Sequence, residues 1–174
     1  MSQRVMGIKT LYPAMTDVAR TTLKQGLIAF HIHSPPKKVL KDITPDIAVK
    51  RMNSSTHTIW ELLNHLVFWQ DITIDAVKEK EVNWSRSKIE NWPEPIDSIT
   101  HDELNALSMR FLAGIERMSA LADEVDLSSG MPSWPEGTKH WAFQMIAQHN
   151  SYHLGQIVTI RQMMSDWPPM ESPE

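Results

Sequence analysis

Cysteine is absent from this 174-residue chain. Disulfides, thiolate zinc sites and a thiol nucleophile supplied by the protein are therefore excluded. Tyrosine and phenylalanine are scarce, at 2 and 4 residues, so much of the apolar volume comes from Leu, Ile, 11 Met and 7 Trp. Charge of one sign is also lacking. A net charge of −4 and a pI near 6.0 leave no basic face for a broad nucleic-acid footprint, and the scattered Asp and Glu form no acidic tail. No apolar run approaches the ~20 residues that span a bilayer, and Met1 to Asp17 lack the apolar region of a signal peptide. The expectation is a cytoplasmic protein without nucleic-acid or membrane partners. What is present is ordinary globular material, 41% hydrophobic and 22% charged. A chain of this length buries roughly 70% of its unfolded surface, which suits a single domain over residues 1–174.

Helical periodicity appears in four segments. The first runs from about Leu11 to Phe30, with Leu11, Met15, Val18, Thr22 and Leu27 as its inward face, and Pro35-Pro36 stops it. Thr44-Pro45-Asp46 reads as an N-cap followed by an N1 proline, which places a short helix near Pro45–Arg51. The second long helix starts at the capping box Thr58-Ile59-Trp60-Glu61 and continues through Leu62, His65, Trp69, Ile72 and Ala76. Asn83 to Pro95 reads as a loop. The third helix opens on Thr100-His101-Asp102-Glu103, a second capping box, and carries Leu104, Leu107, Phe111, Ile115, Met118 and Ala122. Asp126 to Gly137 reads as another loop. The fourth helix spans about Thr138 to Met164, with Ala142, Ile146, His149, His153, Ile157, Ile160 and Met164 on one face. Trp167-Pro168-Pro169 ends it, and a loose tail is expected from about residue 167. No segment alternates convincingly with period two. Four one-faced helices predict an all-α four-helix bundle.

With cysteine gone, the histidines are the residues to explain. His149 and His153 are four apart, which places them about 40° apart in azimuth and about 6 Å apart along a helix. That spacing suits two imidazoles on one metal, but it is unspecific in a chain with eight histidines. Position adds to it, because both fall in the middle of an apolar stripe, as does His65 between Leu62 and Trp69. An inward neutral imidazole must satisfy two ring nitrogens. One shared metal would satisfy a nitrogen of each; the alternative is a core histidine bonded to a backbone carbonyl. His140 lies about 180° from His149 and should face outward. His57, His101, His31 and His33 precede or end helices.

The helix order, His65 within Thr58-Ile59-Trp60-Glu61-Leu62-Leu63-Asn64-His65-Leu66, and His149-Asn150-Ser151-Tyr152-His153-Leu154-Gly155-Gln156-Ile157 resemble the DinB/YfiT-like superfamily of four-helix metalloproteins. The pattern of that superfamily is one His on the second helix, then His-x-x-x-His followed by a small residue and Gln on the fourth. The resemblance runs from about Leu11 to Met164. The lead-in Thr56-His57-Thr58-Ile59-Trp60 departs from the Trp-Ser-Ile-like entry of many members. The resemblance implies an up-down-down-up bundle, often a homodimer. It also implies one divalent ion, nickel or zinc first, held by His65, His149 and His153.

Three imidazoles leave a divalent ion with its full charge and an open position, the ligand count of catalytic zinc sites. The resemblance suggests a metal-dependent transferase acting on a small-molecule substrate with a low-molecular-weight thiol as cosubstrate. The absence of cysteine agrees, since the sulfur must then come from outside. A hydrolase that activates water, and a non-enzymatic metal-stabilised stress or interaction module, are the alternatives. Glu61, as a capping residue, should face the helix end rather than the metal. Gln156, three residues after His153, should reach the metal or a ligand on it. Trp69 lines the pocket or simply packs in the core. Gly155 calls for close approach of another helix or is a tolerated defect.

Overall fold

The computed structural model describes residues 11–54, 56–87 and 90–168, with the side chains of residues 11–16 and 87 outside the description. In chain order the elements are α1 (Leu11–Leu27), α2 (Pro36–Val39), α3 (Pro45–Val49), α4 (Ile59–Val77), α5 (Trp84–Ser87), α6 (His101–Glu124), strands β1 (Gly130–Met131) and β2 (Trp134–Thr138), and α7 (Lys139–Met163). Four of these helices are long, and they pack as a bundle. α4 lies against α6 and α7, and α1 lies against the same two. Thus α1 and α4, consecutive among the long helices, sit across the diagonal. Leu23 and Leu27, Leu62 and Leu66, Phe111 and Met118, and Phe143 and Ile157 meet in one core. Among the described residues no helix is long and apolar enough to cross a membrane.

Local chemistry sets the helix starts. Thr58 Oγ1 accepts from the Glu61 amide at 3.1 Å, and Glu61 Oε2 accepts from the Thr58 amide at 2.9 Å. Thr100 and Glu103 repeat the exchange at 3.2 and 2.7 Å. Thr44 and Thr138 cap α3 and α7 with their side chains alone. A Thr100→Ala variant should lose about 1 kcal/mol. Thr58→Ala should lose more, because Thr58 is buried and an orphaned amide there is cut off from water. Urea midpoints of the two variants give the comparison.

Four expectations need correction. The inward face of α1 is shifted by one position: Val18 is 66% exposed and Thr22 is exposed, while Ala19, Leu23 and Leu27 turn inward. This face packs against α6 and α7. The side chains of Leu11 and Met15 lie outside the described residues. The helix also stops at Leu27 rather than Phe30, since Ala29 and His31 take positive φ of 57° and 55°. Pro36 opens the short α2 instead of only ending α1. The expected loop 126–137 holds a small antiparallel hairpin, with Gly130 opposite Thr138 and Met131 opposite Trp134. β1 has only two residues, and the five of β2, Trp-Pro-Glu-Gly-Thr, include Pro135 and Gly137 and no apolar alternation, so neither shows a period of two.

At the far end, Trp167 packs against the core, and Arg161 lies 5.4 Å over its ring. The rest of the expected tail, 169–174, is outside the described residues.

Candidate metal centre

His65 is presented by the second turn of α4, and His149 and His153 by the middle of α7. These two helices pack directly against each other. The three rings converge, with centroids 5.0 Å apart for His65–His149, 4.7 Å for His65–His153 and 4.5 Å for His149–His153. One ring nitrogen from each lies within 4.8 Å of the others, an arrangement that can hold a metal ion. His65 Nε2 and His149 Nε2 face each other at 3.1 Å. Metal–nitrogen bonds of about 2.0–2.1 Å at a tetrahedral angle place two ligand nitrogens about 3.3–3.4 Å apart. The observed separation is close to that edge.

The opposite ring atoms say which nitrogens are available. His65 Nδ1–H donates to the Asn91 carbonyl at 2.7 Å, and His153 Nδ1–H donates to Gln156 Oε1 at 2.6 Å. Both acceptors fix the tautomer that leaves Nε2 with its lone pair, the usual outer support of a metal-bound histidine. His149 Nδ1 is buried without a partner, as are both amide atoms of the adjacent Asn150. Burial pushes the His65 pKa down to about 4, reinforced by the charge of His153. The His149 pKa also falls to about 4, through burial and then the charges of His153 and His65. Burial lowers His153 as well. Neutral imidazoles are the form that binds a metal.

Gln156 lies against His153 and accepts its Nδ1–H. Trp69 stands edge-on to His65 and His149, each at 6.4 Å between centroids, and packs against the core. The sequence gives no sign of the Asn91-Trp92 segment. Trp92 is sandwiched between His65, at 3.9 Å and 8°, and His57, at 3.7 Å and 5°. Asn91 contributes a backbone carbonyl, which no side-chain pattern reveals. The loop read from Asn83 to Pro95 therefore forms one wall of the cluster.

Glu61 is occupied elsewhere. Burial works to raise its pKa, but the Thr58 amide, the Arg51 guanidinium bonded to its carboxylate and the nearby His57 together hold it below the usual value. His33 donates from Nδ1 to the Ser34 carbonyl and accepts at Nε2 from Ser151, both at 2.9 Å, which pins the end of the α1–α2 connection to α7. His140 is half-buried rather than outward, beside a cavity of about 530 Å³ between α1 and α7. At Gly155 a Cβ would meet nothing within 4 Å, so no neighbouring helix requires the glycine.

Packed long helices with three convergent histidines between α4 and α7 define a helical protein with a candidate metal centre. The family model described as DinB superfamily matches residues 37–157, more than half of the chain, and the chain belongs to that superfamily. The match takes in α4, α6 and all three histidines, while α1 lies outside it. No curated protein and no solved structure matches the chain significantly.

Proposed function

We propose that the chain binds one divalent transition-metal ion through Nε2 of His65, His149 and His153, and that it joins a low-molecular-weight thiol to an electrophilic small molecule. The observation that carries this reading is a cluster of three lowered-pKa histidines, two with the opposite nitrogen anchored, and no carboxylate among them. When bound, such an ion favours the thiolate form of a coordinated thiol and keeps a position open for it. The residues of the chain supply the rest. The Asn91 carbonyl and Gln156 hold two rings in the binding tautomer, and Trp92 covers one face of His65. In the transfer itself the sulfur forms a bond to carbon, the leaving group departs with its electron pair, and the thiol proton passes to solvent.

Water activation is the second reading, and His57 favours it. Its Nδ1 lies 3.4 Å from Glu61 Oε2, its side chain is 45% exposed, and it stacks on the face of Trp92 opposite His65. A histidine oriented by a carboxylate is a suitable general base. Metal-loaded protein incubated with chlorodinitrobenzene and a panel of cellular thiols should release chloride and form thioethers. Ester or amide turnover without thioether formation would favour hydrolysis. Neither activity, with a large metal-dependent rise in Tm, would favour a structural role.

Gln156→Leu removes the acceptor from His153 Nδ1 at a half-buried position. Metal affinity should fall by about 10–100-fold, the usual effect of losing an outer partner. Competition with a chromophoric chelator measures it, and an unchanged affinity would show that Gln156 does not orient the ring.

A further inference from the structure

We infer that a second cavity, beside the histidine cluster and distinct from it, binds an uncharged, largely apolar organic molecule that carries a carbonyl-type acceptor, and that Gly155 keeps this cavity open. The cavity holds about 510 Å³, within the range of small-molecule sites. Met52, Leu62, Ile160 and Met163 form its apolar walls, and Tyr152 and Gln156 are among its polar lining. No Asp, Glu, Lys or Arg lines it. Its titratable side chains, His57 and Tyr152, sit at an exposed rim, so no permanent charge is there to hold a charged ligand, and an uncharged one fits better.

Gly155 supplies the independent observation. Glycine is the least favourable residue of a helix interior after proline, and this one sits well inside α7. Of the other two glycines of the long helices, Gly114 has a packing reason, since a Cβ there would overlap the Gln70 amide, while a Cβ at Gly26 would meet Ala147 at an ordinary contact distance of 3.6 Å. Gly155 has neither a neighbour within 4 Å nor a positive φ. Gly155 is exposed at the rim of the cavity, and its missing side chain leaves that mouth clear. Any side chain longer than alanine would project into that mouth.

Gln156 gives the polar end. Its Oε1 is taken by His153, while its Nε2 has only a long 3.5 Å contact to the Tyr152 hydroxyl. An N–H therefore remains for a carbonyl oxygen of the ligand. The inference stands without the metal assignment, since none of the three clustered histidines lines the cavity.

The test uses the full chain as purified and prodan, an uncharged naphthalene ketone whose emission shifts blue on burial. Wild type should bind it saturably. With ¹⁵N-glycine labelling, the Gly155 amide should shift on titration while Gly26, which lines the α1–α7 cavity, stays in place. Gly155→Leu should weaken prodan binding at least 10-fold, with metal content per chain unchanged and Tm not lowered. Three results would overturn the inference: no saturable binding by wild type, equal binding by Gly155→Leu, or a shift at Gly26 in place of Gly155. A Gly155→Leu chain that fails to fold would contradict the open space itself, and the wild-type labelling still locates the probe.

Discussion

A His149→Ala/His153→Ala variant should bind divalent metal on the order of 10⁴-fold more weakly than wild type. Loss of a single outer partner already costs about 10–100-fold, and each substitution here removes a direct ligand atom, so two together reach at least that product. The same difference appears in heat stability. Metal at about 1,000 times its Kd adds about 4 kcal/mol to the wild type, whereas the variant should not respond. His33→Ala and His140→Ala are the controls, because both residues lie outside the cluster, and they should bind metal as wild type does. Metal-free protein offers a check that does not depend on the ion. His65 and His149 titrate at about 4 in the fold against 6.5 as the ordinary value. Between those values the unfolded chain holds more protons than the folded one, so acid favours unfolding. The stability of chelator-treated wild type should therefore be complete above about pH 6.5 and fall as the pH drops towards 4. The double variant, which lacks His149 and the neighbouring charge of His153, should show a shallower decline. Equal metal binding by wild type and double variant would sink the metal assignment, and equal acid sensitivity would sink the account of burial.

How much of this was legible in the sequence depends on how local each cause is. The two capping boxes are signals of four consecutive residues, and α4 and α6 begin where those boxes place them. His149 and His153 share a face because the helical repeat puts them there, whatever surrounds α7. His65 joins them only because α4 packs on α7, which an apolar stripe suggests without specifying the register. The phase of α1 was misread because Val18 and Thr22 fit the repeat as well as Ala19 and Leu23 do. What decides between them is packing against α6 and α7, which lie far along the chain. Asn91 and Trp92 were invisible for a different reason. Their roles come from a loop laid over the cluster, one through a backbone carbonyl that every residue possesses and the other through stacking between two histidines 8 residues apart. Nothing in the spacing of Trp92 to His65 encodes that sandwich.

Arg161 is the largest such surprise, and it carries the second large prediction. Its side chain carries a charge on α7, yet its relative exposure is 0%. Its guanidinium donates through Nη1 to the carbonyls of Val39 and Lys41, both at 2.8 Å, and through Nε to Asp166 at 2.6 Å. Nη2 is buried without a partner. This fork ties the end of α2 to the end of α7. Asp166→Ala should cost about 3 kcal/mol, the lower part of the range for breaking a buried ion pair, because Asp166 itself keeps 23% exposure of its side chain. For a chain of this size that corresponds to a fall in Tm of roughly 6–12 °C. Arg161→Met should cost less than Asp166→Ala. It removes the buried charge together with its demand for a partner, and leaves a carboxylate that water can reach. The Arg161→Met/Asp166→Ala double variant should then be more stable than Asp166→Ala alone. If instead Asp166→Ala is the mildest of the three, the guanidinium is satisfied by the two carbonyls and Trp167, and the carboxylate is incidental. Metal affinity separates this tie from the centre. Arg161 lies eight residues beyond His153, about 12 Å along the helix, so folded Asp166→Ala should bind metal within a few-fold of wild type while melting well below it.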